Sequence, residues 1–292
     1  MINGIYAASL SLLDKNLALD CKNTIIHAEN IIDNGCHGAV FFGSTGQSQL
    51  ISLSEKIQLI NQLPNSKHRD KFIIGTGLNS LADNINLMKI SKTLNFDTFL
   101  IMPPAYYKYG DEEVINFYSR IINEINDCKV ILYNFEKLSG YKFSEECIKQ
   151  LVQKFPKQII GVKDSSYNLF ESLKIKNFSV LPGSESKLLK GLELGCSGII
   201  TATTNVTSSL ARNVYDNFLN KSPQNLNKKL CEVRSAFEKY NLISGLHTFM
   251  SQKNDIFKNI LPPLKLLSEQ DKNELFSNLK ELNFNIENLK AA

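Results

Sequence analysis

Three short stretches of the chain end in side chains able to do carbonyl chemistry. The apolar run IIGVK closes on Lys163 and is followed by Asp164-Ser165-Ser166; KVILY closes on Tyr133; GAVFF leads into Gly43-Ser44-Thr45-Gly46. An amine held among apolar neighbours keeps a neutral fraction that can attack a carbonyl carbon. The plain alternative is a lysine that reaches solvent or pairs with Asp164. A phenol at the end of the preceding apolar run can relay a proton to or from a hydroxyl of a bound intermediate; otherwise it is a core aromatic whose OH bonds backbone. Two glycines around two hydroxyls let N–H and O–H groups converge on a carboxylate. Gln47 stands where a phosphate loop would carry lysine, and an ordinary glycine-rich turn has the same composition. Together, an amine, a phenol and a carboxylate cradle are the parts of a Schiff base with a 2-keto acid.

Those residues share a purpose only if the fold brings them together. Eight apolar runs, at 4–12, 38–43, 72–77, 97–102, 129–134, 159–165, 178–184 and 197–203, show little polar alternation, the pattern of strands covered on both faces. Amphipathic stretches such as CKNTIIHAENIIDNG, SEKIQLINQL, LADNINLMKISKTL, DEEVINFYSRIINEI and EECIKQLVQKF separate them. Gly35 falls where a left-handed helix cap belongs, and Ser80 with Asp83 makes a capping box. Eight βα units in this order predict an α/β fold, a (β/α)8 TIM barrel over residues 1–223. Residues 224–292 read as C-terminal helices packed on the barrel and interrupted at Pro262 and Pro263. A doubly wound sheet would announce itself by G-x-G-x-x-G after the first strand, and none is present. In a barrel, chemistry gathers at the carboxyl ends of the strands. Lys163 and Tyr133 fall at that end, whereas Lys71 and Lys129 begin their strands and fall at the other.

Composition removes several classes. The 292 residues carry a formal charge of +4 and are 43% hydrophobic, enough for a large core. No Lys/Arg block points to nucleic acid. Six scattered cysteines, without C-x-x-C or histidine at ligand spacing, argue against a metal site and for core cysteines in a reducing compartment. No apolar run approaches the ~18 residues of a membrane span, and the first residues lack the pattern of a signal peptide. The expected location is the cytoplasm. His27, His37, His68 and His247 are assigned structural or solvent-exposed roles.

The chain resembles the dihydrodipicolinate synthase / N-acetylneuraminate lyase family of pyruvate-dependent class I aldolases. The resemblance runs nearly end to end: GSTG at 43–46, PPAYY at 103–107, YN at 133–134, GVKDS at 161–165, GSE at 183–185, SGIITATTNV at 197–206 and LPPLKLLSEQD at 261–271. It implies that Lys163 forms the imine with pyruvate and that Tyr133 relays protons. Ser44 and Thr45 then bind the pyruvate carboxylate and orient the tyrosine, with Gly46 shaping the loop and Gly43 beside the substrate. Tyr107, or its neighbour Tyr106, completes the relay from an adjacent subunit, in a homotetramer built as a dimer of dimers. Ile200 borders pyruvate, while Ser165, Gly183, Ser184 and Glu185 line the substrate. The chemistry calls for no metal or organic cofactor, and the partners are pyruvate with an aldehyde or a 2-keto-3-deoxy acid.

Departures from the family's patterns narrow the substrate. Dihydrodipicolinate synthases carry an arginine a few residues after Y-N for the carboxylate of aspartate semialdehyde. Here YNFEKLSG places Leu138 at that position, and the ammonium of Lys137 does not reproduce a bidentate fork. LSG at 138–140 is similar to N-acetylneuraminate lyases, but their acidic pair is reduced to Glu185. HAENII at 27–32, GLN at 77–79, GVKDS and GSE look most like 2-keto-3-deoxygluconate aldolases, and Tyr109 stands where phosphate-tolerant members have arginine. The reading is therefore an aldolase for a non-phosphorylated 2-keto-3-deoxy sugar acid. Dihydrodipicolinate synthase and N-acetylneuraminate lyase are the enzymatic alternatives. A keto-acid-binding paralogue without activity is the non-enzymatic one, suggested by Ser11, Gln47 and Glu136 at altered positions.

Overall fold

The computed structural model describes residues 1–125 and 127–286. Its strands are β1 (Gly4–Ala8), β2 (Gly38–Phe41), β3 (Phe72–Gly75), β4 (Thr98–Ile101), β5 (Lys129–Asn134), β6 (Ile159–Asp164), β7 (Ser179–Pro182) and β8 (Gly198–Thr201). Each lies inside one of the eight apolar runs. All pairings are parallel, in the order β7-β6-β5-β4-β3-β2-β1-β8. The seam between β7 and β8 is bridged by Ser197 N–H, which donates to Val180 O at 2.9 Å. The result is the (β/α)8 barrel that the alternation implies.

The helices among the described residues are α1 (Cys21–Asp33), α2 (Leu53–Gln62), α3 (Leu81–Thr93), α4 (Asp111–Glu124), the single turn α5 (Glu136–Ser139), α6 (Glu145–Lys154), α7 (Leu188–Glu193), α8 (Thr204–Leu219), α9 (Asn227–Glu238), α10 (Leu242–Met250) and α11 (Glu269–Glu281). None is long and apolar enough to cross a membrane. Gly35 follows α1 with φ +122°. Ser80 caps α3 by accepting from Asp83 N–H at 3.2 Å, while the reciprocal box forms one helix earlier, between Ser52 and Glu55.

Strand alternation sorts the core into two layers. Val40, Ile73, Leu100, Ile131, Leu181 and Ile200 fill the barrel interior together with Tyr133. Phe41, Ile74, Phe99, Val130 and Leu132 face the helices instead.

Three features differ from the sequence reading. The run at 4–12 overshoots β1, because Leu10 N–H and Leu12 N–H leave the sheet for the side chains of Asn205 and Thr24. No α-helix stands between β6 and β7 among the described residues. There the Asp164 carboxylate accepts from the N–H groups of Tyr167, Leu169 and Phe170 at 2.9–3.0 Å and holds a compact turn. The C-terminal region is not wholly helical either, since residues 251–268 carry only a 3₁₀ turn at Asp255–Lys258. Its helices α9, α10 and α11 bury Val233, Phe237, Leu246 and Phe249 against Leu10, Leu12, Ala202 and Val206, residues just beyond β1 and β8. Residues 287–292 of the expected extension lie outside the described residues.

Candidate active site

Lys163 and Tyr133 are register partners on β6 and β5. Alternation points both into the barrel, where they are 3% and 4% exposed. The Lys163 Nζ lies 4.2 Å from the centroid of the Tyr133 ring, a distance at which an ammonium is attracted to the π face. The next residue of each strand faces the other way. Asn134 Nδ2 donates to Asp164 Oδ1 at 2.8 Å, an oxygen that also accepts from Tyr167 N–H, while Oδ2 accepts from the N–H groups of Leu169 and Phe170. Asp164 is thus the scaffold of its loop, and among the described residues it forms no ion pair with Lys163. That disposes of one alternative for the lysine; burial disposes of the other.

The Tyr133 hydroxyl is 2.9 Å from Ser44 Oγ. Ser44 opens a 3₁₀ turn, Ser44–Gly46, that follows Gly43 directly beyond β2. Thr45 is buried one residue on. Gly46 is required by crowding, since a Cβ there would stand 2.8 Å from Ser9 O and 3.0 Å from Ser11 Oγ. Ser11 Oγ in turn donates to Gly46 O at 2.7 Å, so the altered Ser11 supports the turn. Gln47 closes it at φ +54° and accepts from Leu261 N–H at 2.8 Å, tying the turn to the C-terminal region. Amine, phenol and hydroxyl therefore form one connected group at the carboxyl ends of β6, β5 and β2.

Ile200, on β8, belongs to the same interior layer as Tyr133. Gly183 follows β7, and a Cβ there would lie 2.2 Å from Ser165 Oγ, so its missing side chain makes room for the serine two residues after Lys163. Ser184 is buried and accepts from Ser186 N–H at 3.3 Å. A cleft walled by Phe42, Leu100, Met102 and Leu138 includes Gly43, Ser44 and Tyr133 among its lining. Leu138, 46% exposed, presents an apolar side chain where the sequence comparison looked for arginine.

Three expected residues lie apart from this group within one chain, two of them the tyrosines expected to act on an adjacent subunit. Tyr107 and Tyr106 are 73% and 90% exposed and pack edge to face on each other. Glu185 is fully buried and its carboxylate is occupied: Thr201 and Thr203 hydroxyls donate at 2.7 and 2.8 Å, Thr207 at 3.3 Å, and Arg234 Nη1 at 3.2 Å. Sequence reasoning missed Arg234 because it lies on α9, in the region read as packing helices. Asn134 and Asp164 were also missed as scaffold; strand parity on a barrel wall is the signal that separates them from Tyr133 and Lys163.

A parallel barrel that gathers a buried lysine, a tyrosine and a hydroxyl-bearing turn at its catalytic rim is an enzyme of the aldolase type. The model of the Dihydrodipicolinate synthetase family matches residues 1–282, and the chain belongs to that family. It is 28% identical over 274 residues to the 4-hydroxy-tetrahydrodipicolinate synthase of Karelsulcia muelleri, covering 90% of this chain and 92% of that one. It is 27% identical over 230 residues to the 2-dehydro-3-deoxy-D-gluconate/2-dehydro-3-deoxy-phosphogluconate aldolase of Picrophilus torridus, covering 76% and 85%. The solved structure of the 2-keto-3-deoxygluconate aldolase from Picrophilus torridus superposes with a TM-score of 0.83 at 26% identity, over 92% of this chain and 99% of that one. The protein is a lyase of this family.

Proposed function

We propose that the protein reversibly cleaves a non-phosphorylated 2-keto-3-deoxy sugar acid to pyruvate and an aldehyde. The observation that carries this reading is the contact between Lys163 Nζ and the Tyr133 ring, with the Tyr133 hydroxyl held by Ser44. The lysine nitrogen adds to C2 of the keto acid and water leaves, giving a protonated imine. Loss of the proton from the C4 hydroxyl breaks the C3–C4 bond, the aldehyde departs, and the electron pair enters the imine as an enamine. Protonation at C3 and hydrolysis release pyruvate and restore the amine. Tyr133 carries the C4 proton in this reading, which its hydrogen bond to Ser44 supports. Ser44, Thr45 and the backbone of Gly43 and Gly46 bind the carboxylate, with Ile200, Ser165, Gly183 and Ser184 shaping the rest of the pocket. Tyr107 acts across a subunit boundary in a tetramer.

The apolar wall at Leu138 supports a substrate whose aldehyde half bears no carboxylate. The relative in Karelsulcia muelleri favours the second reading, condensation of pyruvate with aspartate semialdehyde. The test begins with borohydride reduction in the presence of pyruvate, then intact mass and peptide mapping. A reduced adduct on Lys163 is expected, followed by pyruvate release from 2-keto-3-deoxygluconate at a higher kcat/KM than condensation with aspartate semialdehyde. No adduct from folded protein would end the aldolase mechanism, and the reverse ranking would replace the first substrate with the second.

A further inference from the structure

Lys56 lies in α2, in the amphipathic stretch SEKIQLINQL, on the same helix face as the buried Leu59 and Ile60. The structure turns it inward. It is 0% exposed, and its Nζ donates to Thr76 O at 2.8 Å and Gly77 O at 3.1 Å. Among the described residues it forms no ion pair. Burial pushes its pKa down to about 7, and Asp83 is the charge that opposes the shift. An ammonium in such surroundings costs several kcal/mol, so its placement asks for a reason.

The reason lies in what those carbonyls belong to. Residues 76–80 carry the chain from β3 to α3, and a second buried side chain, Asn84, donates to Leu78 O at 2.9 Å and Ser80 O at 2.8 Å. Two helices thus hold four carbonyls of one short segment. Gly77 within it has φ +55°, lies against Ser48 and lines the cleft beside Ser44. Asn79 Oδ1 accepts from Ala105 N–H at 2.9 Å, directly before Tyr106, whose φ is +88°. A left-handed backbone at a β-unbranched aromatic persists only where its neighbours fix it.

We propose that Lys56 is a positioning residue, which from inside α2 fixes the segment that walls the cleft and, through Asn79, anchors the turn bearing Tyr106 and Tyr107. It touches no substrate. Its effect on turnover rests on the aldolase reading; its effect on the turn does not.

The test uses Lys56→Met, which keeps the stem and removes the donors, Lys56→Gln, which keeps two N–H groups, and Asn79→Ala at an exposed position. Hydrogen exchange of peptides spanning 103–110 reads the anchoring without turnover, and should be faster in Lys56→Met and Asn79→Ala than in the parent. Where the parent releases pyruvate, both should lose roughly 10–100-fold in kcat, the scale of an ångström of misplacement, with KM little changed. Lys56→Gln should fall between. Borohydride trapping of pyruvate should persist in all three, because Lys163 and Tyr133 sit on β6 and β5 and Ser44 in the turn beyond β2. Parental exchange in folded Lys56→Met, or in Asn79→Ala if the first fails to fold, overturns the proposal. A parent that forms no imine overturns the aldolase reading instead.

Discussion

Replacing Arg234 by Met tests whether Glu185 is a strut or a substrate contact. The guanidinium is 5% exposed on its side chain and Glu185 is not exposed at all, so the 3.2 Å pair sits in a site where water cannot take over. Removing one partner of a buried pair costs about 3–5 kcal/mol, because the other charge stays behind. Three threonine hydroxyls still donate to Glu185, two of which also accept from Arg234, and the other carboxylate paired with Arg234, that of Glu238, is 41% exposed and rehydrates easily. The lower end, about 3 kcal/mol, is therefore expected. For a chain of this length that corresponds to a fall in Tm of roughly 6 °C. Calorimetry and urea unfolding at neutral pH measure it. Adding Glu185→Gln removes the stranded charge while keeping an acceptor for the threonines, so the double variant should recover most of the loss. Borohydride trapping of pyruvate on Lys163 should survive in both. A single variant that melts with the parent, or a double variant no more stable than the single, would refute the reasoning.

Burial pulls the pKa of His27 and of His247 from 6.5 down to about 4. The unfolded chain then binds protons between those values that the folded chain does not, so stability is complete above pH 6.5 and falls as pH drops toward 4. At pH 5 the loss is about 2 kcal/mol per histidine; urea unfolding at pH 7.5 and 5 should show it, and equal midpoints would exclude it. Leu138→Arg puts a guanidinium on the cleft wall at an exposed position; kcat/KM for condensation with aspartate semialdehyde should rise, by tenfold or so if the pair is bidentate, with Tm nearly unchanged. Gly183→Ala drives a methyl against Ser165, at 2.2 Å from its Oγ and 3.0 Å from its Cβ. It should cut kcat about tenfold through displacement of the loop after Lys163, and parental kinetics would show that the loop yields without effect.

The barrel was legible because strands buried on both faces cannot alternate, and the apolar runs therefore mark them directly. Lys163 and Tyr133 were legible for a related reason: they are the polar residues that end such runs, and in a parallel barrel an end is a place. What stayed hidden was which partners the buried charged groups take. Asp164 follows Lys163 in sequence and invites an ion pair, yet one step along a strand reverses the face, and its carboxylate meets backbone N–H groups and Asn134. Glu185 meets a cation on α9, a helix that composition had left as packing material. Lys56, a charge within an amphipathic stretch, is buried and donates to backbone carbonyls of another segment.

These three cases have one physical cause. A carboxylate or ammonium can be buried wherever the tertiary structure supplies hydrogen-bond partners, and those partners are distant in sequence or belong to the backbone, which a sequence does not distinguish. Apolar residues have no such freedom, because their preference for burial is met by any other apolar surface. Hence the pattern of apolar runs locates the rim of the barrel, while the division of its charged residues into reacting and supporting groups follows from geometry. At this rim Glu185 is met by Arg234 and threonine hydroxyls, Asp164 by Asn134 and backbone N–H groups, and Lys56 by backbone carbonyls, whereas Lys163 forms no ion pair among the described residues, and that is the amine suited to attack a carbonyl.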